Sequence, residues 1–439
     1  MPRTGKPCTK RRSSERYGGA VSRITSSVCE IRRSPDHPVV QPVSTHPLAA
    51  VTRRFCGLPA TQPIVATGHQ PVLPHPGILA KYIMVNRLAS THAACMVNAV
   101  VDTGTGPLGH FDVPCGGGHT LNMLDEGTGL WATRDAARVR PLQMPAGCAA
   151  SIEQGIQEVS AAWLQSKGET AAHQAAAAQA TVIRPWAGSF HNVWASQLLA
   201  APIGVAVLHA MRDDPAGCVA LYNEAVEAHP GLGVKLLRAS GDFELPLWVV
   251  SNGSLQTATA QDLDVGGANL LPKALLTTAL LRVAVADHFV HGIGGYAYDE
   301  IMEQWISRWL GWTPCPMSLA TATVYLPGCS PAELDSETQR RVLKLRRLQH
   351  DPLGAGKVAL SPSKAATLER IKAAGSASAR AEAFATFHHD RQQAQEAAEV
   401  AKALCDVKAS RAARASRARR DWACPLYPRQ MLESLANAF

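Results

Sequence analysis

A strand, a loop, a helix and a second strand follow one another near the start of the chain, and this order limits the possible folds most. PIVATG (63–68) and CMVNAVVD (95–102) are short apolar runs typical of buried strands. Between them, residues 78–90 have helical apolar spacing, with Pro76 and Gly77 at the helix entry. A unit of this kind predicts two parallel strands joined by a right-handed crossover, and therefore an α/β fold.

Further helix and strand patterns continue to about residue 330. Short apolar runs predict strands at 203–208 and 244–250. The longest predicted helix, 270–291, has Pro272 in its first turn and Gly292 at its end, which is the usual asymmetry of helix caps. The other predicted helices are 151–165, 173–180, 190–201 with Ser189 as its cap, 216–228 and 298–310.

The C-terminal part of the chain changes to long Ala-, Arg- and Glu-rich runs. Residues 333–350 and 378–422 are too polar all round for a globular core. Phe384 and Phe387 begin an apolar 3-4 spacing that is typical of a weak coiled-coil seam. Such a helix needs a partner, which is either 333–350 or a second copy of the chain. We therefore expect a helical coiled-coil arm over 331–439 and a homodimer.

Net charge separates the N-terminal end from the rest. The chain has 439 residues, with 43 Lys and Arg against 35 Asp and Glu. Residues 1–54 contain eleven basic and three acidic residues, which accounts for the whole excess of eight. We therefore expect 1–55 to be a basic, disordered and dispensable extension, and 56–330 to form the core. A neutral core argues against nucleic-acid binding.

The cysteines and the hydropathy of the sequence indicate in which cellular compartment the protein works. The 11 cysteines are scattered and include no C-x-x-C pair, which favours free thiols in a reducing cytosol over a disulfide framework or a structural zinc site. The most apolar segment, 270–290, contains Lys273, Arg282 and Asp287, whose charges would be costly in lipid. The sequence therefore predicts a cytoplasmic protein without a membrane partner.

The loop after the first predicted strand has an unusual composition for a plain connection. The stretch TGHQPVLPHPG contains Gly68, which permits close approach of a ligand, and His69, Gln70 and His75, which suit a phosphate or carboxylate. Lys81 follows one turn inside the helix. Because a helix N-terminus after a parallel strand attracts anions, we expect a ligand site here. The alternative is that the three prolines only stiffen a tight turn.

A second polar cluster, DHFVHGIGGYAYDE, connects two predicted helices. Its glycines either admit a ligand or let the two helices cross closely, and G-x-G-G alone is weak evidence for phosphate binding. The residues of interest are His291, Gly292, Gly294, Gly295, Tyr298 and Asp299.

Histidines are the candidate metal ligands of this chain. No spacing among them matches a known ligand motif, so we assign no metal. The set comprises His69, His75, His110, His119, His288 and His291.

At these positions the sequence resembles the bacillithiol synthase family, which are cysteine ligases. The family's T-G-Q-Q-x-G-L loop corresponds here to Thr67, Gly68, Gln70 and Leu73, with His69 in place of the first Gln. Val72 stands in place of the second Gly, and Lys81 lies two residues earlier than the family's helix lysine. H-G-I-G-G-x-x-Y-D, at 291–299, resembles a divergent relative group, and the likeness runs from about 60 to 330.

The resemblance implies an α/β, Rossmann-like parallel-sheet core with inserted helical segments, a coiled-coil arm and a homodimer. It also implies a ligase that adds cysteine, as an amide, to a glucosamine–malate conjugate. Amide formation needs an activated carboxylate, so a nucleotide or anion site at a helix N-terminus makes chemical sense. The sequence does not fix the cofactor, for which ATP or ADP is the candidate.

We accordingly expect a small-molecule substrate and assign a role to each residue of the two motifs. His69, His291 and Asp299 are the catalytic candidates. The two histidines are the acid/base candidates among them, because imidazole titrates near neutrality. Asp102 and the 291–299 loop would close the site. The ligand-binding candidates are Thr67, Gly68, Gln70, His75, Lys81, Asp102, Gly292, Gly294, Gly295 and Tyr298.

Two alternatives from other classes remain open. One is a non-catalytic, dimeric binding or scaffold protein that keeps the fold without the chemistry. The other is a metal-dependent hydrolase built on the histidines.

Overall fold

The computed structural model describes most of the chain in two units. The described residues are 22–25, 29–34, 40, 44, 46–115, 118–125, 127, 129–251, 253–264, 269–350, 362–395 and 398–439. The first unit contains the described residues up to Cys115, together with His119–Val324 and Asp421–Phe439. The second unit is formed mainly by Tyr325–Arg420.

Strands and helices alternate through the first unit, and the second unit is helical. The strands are β1 Ser22–Thr25, β2 Cys29–Ser34, β3 Ile64–His69, β4 Cys95–Val100, β5 His110–Val113, β6 His119–Asn122, β7 His191–Trp194, β8 Glu244–Ser251, β9 Ser254–Thr259, β10 Leu270–Pro272, β11 His288–His291 and β12 Met317–Val324. The helices are α1 Ala49–Phe55, α2 Pro76–His92, α3 Ala150–Gln165, α4 Ala171–Ala187, α5 Pro202–Asp213, α6 Pro215–Ala228, α7 Ala274–Ala284, α8 Ile293–Leu310, α9 Pro331–His350, α10 Pro362–Ala373, α11 Ala377–Gln395, α12 Ala398–Arg417 and α13 Arg429–Asn437.

Seven strands form the main sheet, in the order β1-β2-β12-β11-β3-β4-β7. The five strands from β12 to β7 are parallel, and β1 and β2 extend the sheet with antiparallel pairing. The α/β class and the mostly parallel sheet predicted from β3, α2 and β4 are therefore confirmed. A three-stranded sheet, β10-β8-β9, and the β5-β6 hairpin complete the strands that the structure describes.

The order of the strands reverses between β3 and β11. From β3 the chain proceeds outward to β4 and β7, whereas from β11 it proceeds in the opposite direction to β12. The register places His288 opposite Val65 and Val290 opposite Thr67. Such a switch point opens a crevice at the carboxyl ends of the two strands.

The predicted helix at 270–291 is helical only in its centre, and both of its ends are wrong. The segment forms β10, α7 and β11, with a break after Val285. Every residue from Leu275 to Val290 is buried, so the apolar run has no period that distinguishes a helix from a strand. The glycine-containing cluster that was expected to connect two helices is therefore a strand-to-helix junction, from β11 into α8.

Two shorter assignments are also wrong. The helix expected at 190–201 is strand β7 followed by a 3-10 turn, and the strand expected at 203–208 lies within helix α5. In α5 the buried residues Ile203, Val207 and Met211 are spaced four apart, whereas Val205 is exposed. This spacing is helical, and the run of β-branched residues concealed it.

The N-terminal segment is part of the sheet, contrary to the expected disordered extension over 1–55. Strand β2 pairs with β12 over six residues, and α1 begins at Ala49. Arg53 is fully buried and forms an ion pair with Asp287 at 2.8 Å. The net charge of a segment does not show which of its basic side chains are buried and paired with an acidic side chain. Residues 1–21 of this extension lie outside the described residues.

The second unit pairs α9 with α12 through a small apolar cluster. Leu345 and Leu348 of α9 pack against Ala403 and Val407 of α12, so α12 has a partner within the same chain. Residues 421–439, which the sequence analysis included in the arm, instead belong to the first unit. They are held there by buried apolar side chains, which include Trp422, Cys424, Leu426, Tyr427 and Leu432.

A disulfide joins Cys115 and Cys148, contrary to the expectation of free thiols. It connects the segment after β5 to the segment before α3. Scattered spacing in the sequence gave no sign of this pair, because the two cysteines meet only in the fold. In the part of the chain that the structure describes, no helix is long and apolar enough to cross a membrane.

We predict that Arg53→Ala lowers the free energy of unfolding by about 3–5 kcal/mol, because it leaves the buried Asp287 carboxylate without its cation. Arg54→Ala is the matched control, since Arg54 is the exposed neighbour in α1 and should cost less than about 0.5 kcal/mol. Urea unfolding of the two variants measures the difference. Equal costs would contradict a structural role for the N-terminal segment.

Candidate functional site

The candidate site lies at the carboxyl edge of the main sheet, at the switch point between β3 and β11. β3 continues into the proline-rich loop and α2, and β11 continues directly through Gly292 into α8. The two motifs found in the sequence therefore leave neighbouring strands at the same edge. Ligands of open α/β sheets bind in this position.

The proline-rich loop is held in place by several neighbours. The buried Gln179 side chain of α4 donates from Nε2 to the carbonyls of Gln70, at 3.2 Å, and Val72, at 2.7 Å. The backbone N–H of Cys424 donates to the carbonyl of Pro74 at 2.8 Å. With three prolines in addition, the loop has little conformational freedom left to lose when a ligand binds.

His75 caps helix α2. Its Nδ1 accepts a hydrogen bond from the backbone N–H of Gly77 at 3.1 Å. This satisfies one of the free N–H groups of the first turn. The predicted role of His75 as a ligand donor is therefore in competition with a structural role, because its Nδ1 lone pair is already used.

Thr67 and Gly68 serve the sheet. Thr67 is fully buried, and its hydroxyl donates to the carbonyl of Val290 at 2.8 Å, which ties β3 to β11. A Cβ atom on Gly68 would lie 3.1 Å from both Cβ and O of Ala99 on β4. Close packing of β3 on β4 therefore explains this glycine, and its backbone does not require a left-handed conformation.

Lys81 reaches from the second turn of α2 to the end of β3. Its side chain is almost fully buried, and Nζ donates to the carbonyl of Gly68 at 2.8 Å. Among the residues that the structure describes, no acidic side chain pairs with it. Burial lowers the pKa of Lys81 to about 7, because the interior disfavours an uncompensated ammonium.

A buried polar chain ends at the junction of β11 and α8. Arg282 Nη1 donates to Asp299 Oδ2 at 2.9 Å, and the same oxygen lies 2.8 Å from His291 Nε2. Arg282 also binds Glu303 and the carbonyl of Cys315. Asp299 is fully buried, whereas His291 keeps 11% of its side chain exposed. The structure thus brings together two of the three predicted catalytic residues.

The charges around Asp299 keep it ionised. Burial alone would raise the pKa of Asp299, but the neighbouring His291 and Arg282 outweigh burial and hold it below the usual range. An ionised Asp299 accepts the Nε2–H of His291. Nδ1 therefore carries the lone pair of neutral His291, which is the form that accepts a proton.

The three glycines of the second motif lie at the start of α8, where the sequence analysis expected a flexible loop. Gly292 is the N-cap residue, and Gly294 and Gly295 are in the first turn. A Cβ on Gly295 would lie 2.3 Å from His291 Nδ1. Gly295 therefore leaves the space that this nitrogen needs. A Cβ on Gly294 would meet no atom within 4 Å.

The remaining predicted residues are less closely associated with the buried polar chain of Arg282, Asp299 and His291. His69 is half-buried at the end of β3, with Nδ1 3.1 Å from the carbonyl of Gln70. Burial lowers the pKa of His69, and Lys81 lowers it further when the lysine is protonated, so the protonated form of His69 is disfavoured. Gln70 is exposed in the loop, and Tyr298 packs against the main apolar core.

Asp102 makes its hydrogen bonds on the β4–β7 side of the sheet, with Ser196. Its Oδ1 accepts the backbone N–H of Ser196 at 2.9 Å, and its Oδ2 accepts the Ser196 hydroxyl at 2.6 Å. Burial raises the pKa of Asp102, and the bonds from Ser196 oppose that rise. The carboxylate that was expected to close the site is thus used to connect β4 with the turn after β7.

Sequence reasoning missed Arg282 and Gln179 as supports of the site. Arg282 was noticed only as a charge within an apolar segment, although such a charge must find a partner when it is buried. Its position in the middle of the predicted helix was the available signal. Gln179 lies in the Ala-rich run 173–180, where His173 and Gln174 are also polar, so nothing in the sequence distinguishes it.

The histidines do not assemble into a metal site. In the residues that the structure describes, no group of three or more His, Cys, Asp or Glu side chains could hold a metal ion. His288, for example, is buried with Nε2 2.7 Å from Ser318 Oγ. This arrangement gives no support to a His-based hydrolase.

No protein-family model and no curated protein matches the chain. The resemblance to the bacillithiol synthase family therefore stays a prediction that depends on the motifs at 67–73 and 291–299.

We predict that Gly68→Val lowers the free energy of unfolding by about 1–3 kcal/mol, because the added side chain must displace Ala99. Gly294→Ala is the control, since its Cβ enters open space in a helix and should be neutral or stabilising by up to about 1 kcal/mol. Thermal unfolding compares them. A normal stability for Gly68→Val would show that the glycine is not required for strand packing.

We also predict that Lys81→Met raises the stability at pH 7 by about 1–3 kcal/mol, because methionine fills the same space without a buried amine. The folded-state pKa of about 7 lies below the unfolded value of about 10.4, so the unfolded chain binds more protons between these two pH values. Wild-type stability therefore rises from pH 7 to about pH 10, and the advantage of the variant shrinks.

Lys273→Met is the control for this pH series, because its ammonium pairs with Glu244 at 3.0 Å and lies over Trp248. This variant should gain no stability at pH 7. A loss of stability in Lys81→Met at every pH would mean that the lysine is a structural requirement.

Proposed function

We propose that the chain is a ligase-like enzyme of Rossmann-like α/β architecture that binds an anionic small molecule between β3 and β11. The observation that carries the proposal is the buried Arg282–Asp299–His291 chain, which ends where β11 meets α8. Burying such a chain costs desolvation energy. Polar groups kept at that cost near a ligand crevice are typical of functional sites.

In this proposal His291 is the general base. An amine that attacks an activated carboxyl group must lose a proton as the amide bond forms. Nδ1 of His291 has the lone pair to accept that proton, and Asp299 stabilises the imidazolium that results. Gly295 keeps the approach to Nδ1 free, since any side chain there would occupy the position next to the nitrogen.

The start of α8 provides the anion site. The helix has 18 residues, and no side chain of the described residues caps its first turn, whereas His75 caps α2. Its first N–H groups and the positive end of its dipole are therefore left for a ligand. The bound group would be a phosphate or carboxylate, which fits ATP or ADP as the candidate cofactor. A nucleotide would supply activation of the carboxyl group.

A non-catalytic binding or scaffold protein is the second candidate. It is favoured by the half-exposed Phe384 of α11, an apolar side chain at 48% exposure on a polar helix. The homodimer and the coiled-coil arm belong to this candidate as well as to the enzyme. Both remain predictions, as does a cytoplasmic location.

The test combines binding and turnover. We expect wild-type protein to bind ATP or ADP by calorimetry and to join cysteine to a glucosamine–malate conjugate, detected by mass spectrometry. His291→Gln should lower the rate about 10²–10⁴-fold with little change in stability. The glutamine amide can still donate to Asp299, whereas it offers no basic lone pair at the Nδ1 position. His209→Gln, an exposed histidine of α5, is the control.

The outcomes separate the candidates. Nucleotide binding without any amide product would favour the scaffold, and a full rate in His291→Gln would remove His291 from the reaction. If the protein neither binds a nucleotide nor forms the amide product, the proposed function is overturned.

A further inference from the structure

The surroundings of Lys81 differ from those of the other described lysines in the first unit. It is 5% exposed, and its one hydrogen-bond acceptor is the neutral carbonyl of Gly68 at 2.8 Å. Lys273, by comparison, is paired with Glu244, and Lys235 is exposed. A buried ammonium without a counter-ion is unfavourable, so the surroundings of Lys81 favour the neutral amine.

A neutral amine at this position has a free lone pair. It has two N–H bonds and one lone pair, and Gly68 requires only one N–H. The pKa of Lys81, lowered to about 7 by burial, agrees with this state. The fraction of free amine at pH 7 is therefore higher than that of an ordinary lysine, whose pKa is about 10.4. Desolvated lysines of this kind are nucleophiles in enzymes that form Schiff bases.

Open space lies beside the Lys81 side chain. Among the residues that the structure describes, a Cβ on Gly292 would have a single atom within 4 Å, Cδ of Lys81 at 3.7 Å, and a Cβ on Gly294 would have none. Both glycines belong to the start of α8, whose uncapped N–H groups favour an anion. A small molecule with a carboxylate at α8 would therefore bring its neighbouring atoms toward the lysine.

We infer that Lys81 is a nucleophilic amine that forms an imine with a small carbonyl compound bearing a carboxylate, of the α-keto acid class. The inference shares the anion position at α8 with the proposed function. It does not depend on amide formation, on a nucleotide or on His291.

The reaction is balanced without a further co-reactant. The Lys81 lone pair attacks the keto carbon, and a C–N bond forms. The keto oxygen then leaves as water together with both hydrogens of the amine, which gives the C=N bond. The step involves no change in oxidation state, and water reverses it, so the adduct must be reduced to be detected.

The experiment treats the full chain at pH 7 with pyruvate and cyanoborohydride, which reduces the imine to a stable secondary amine. Peptide mapping by mass spectrometry then gives the extent of labelling at each lysine. We expect Lys81 to be labelled at least about 10-fold faster than Lys273, because Lys81 is buried without a counter-ion whereas the ammonium of Lys273 is held by Glu244. Acetone, a ketone without a carboxylate, should label Lys81 more slowly than pyruvate does.

Two variants test the geometry. Gly292→Val fills the space beside the lysine, and its extended backbone tolerates any residue, so labelling should fall while the melting temperature is kept. Lys81→Met should remove the labelled peptide and leave the labelling of Lys273 unchanged.

Three results would overturn the inference. They are labelling of Lys81 no faster than Lys273 in wild-type protein, equal labelling by acetone and pyruvate, and undiminished labelling in Gly292→Val. A failed ligase assay together with selective labelling of Lys81 would overturn the proposed function and leave this inference in place.

Discussion

The carboxylate of Asp287 holds together the two strands on which the rest of the structure depends. It accepts hydrogen bonds from Arg53 and from the backbone N–H of Ile64, both at 2.8 Å, and from the backbone of Ser44. These bonds lie at the amino ends of β3 and β11 and fix their register. A slip of one residue would turn His291 to the opposite face of the sheet.

Both ends of this strand pair contain buried polar atoms that have no hydrogen-bond partner among the described residues, and at the amino end these are Nε and Nη1 of Arg53. At the amino end the Asp287 carboxylate is bonded through both oxygens. At the carboxyl end Lys81 has a single acceptor, and Asp299 Oδ1 is buried without a partner among the described residues. Unpartnered atoms are therefore not confined to the ligand edge, but those at the carboxyl end are the ones that a ligand bound at the switch point would be near.

The sequence was informative where short-range patterns decide the structure. The strand-helix-strand unit from β3 to β4 and the helices α6 and α8 follow from apolar spacing and caps, as did the two motifs of the site. The order of the strands did not, because it depends on pairings between distant segments. The segment at 270–291 has no period to interpret, and Arg53 and Arg282 are basic residues whose buried partners appear only in the fold.

The Cys115–Cys148 disulfide closes the segment that runs from β5 to α3 into a loop. The two cysteines are 33 positions apart, and the crosslink holds the ends of that segment together. Doubling the length of a closed loop adds only about 0.6 kcal/mol of closure entropy. A longer loop between the two cysteines would therefore cost little additional closure entropy, and the crosslink would still join its two ends.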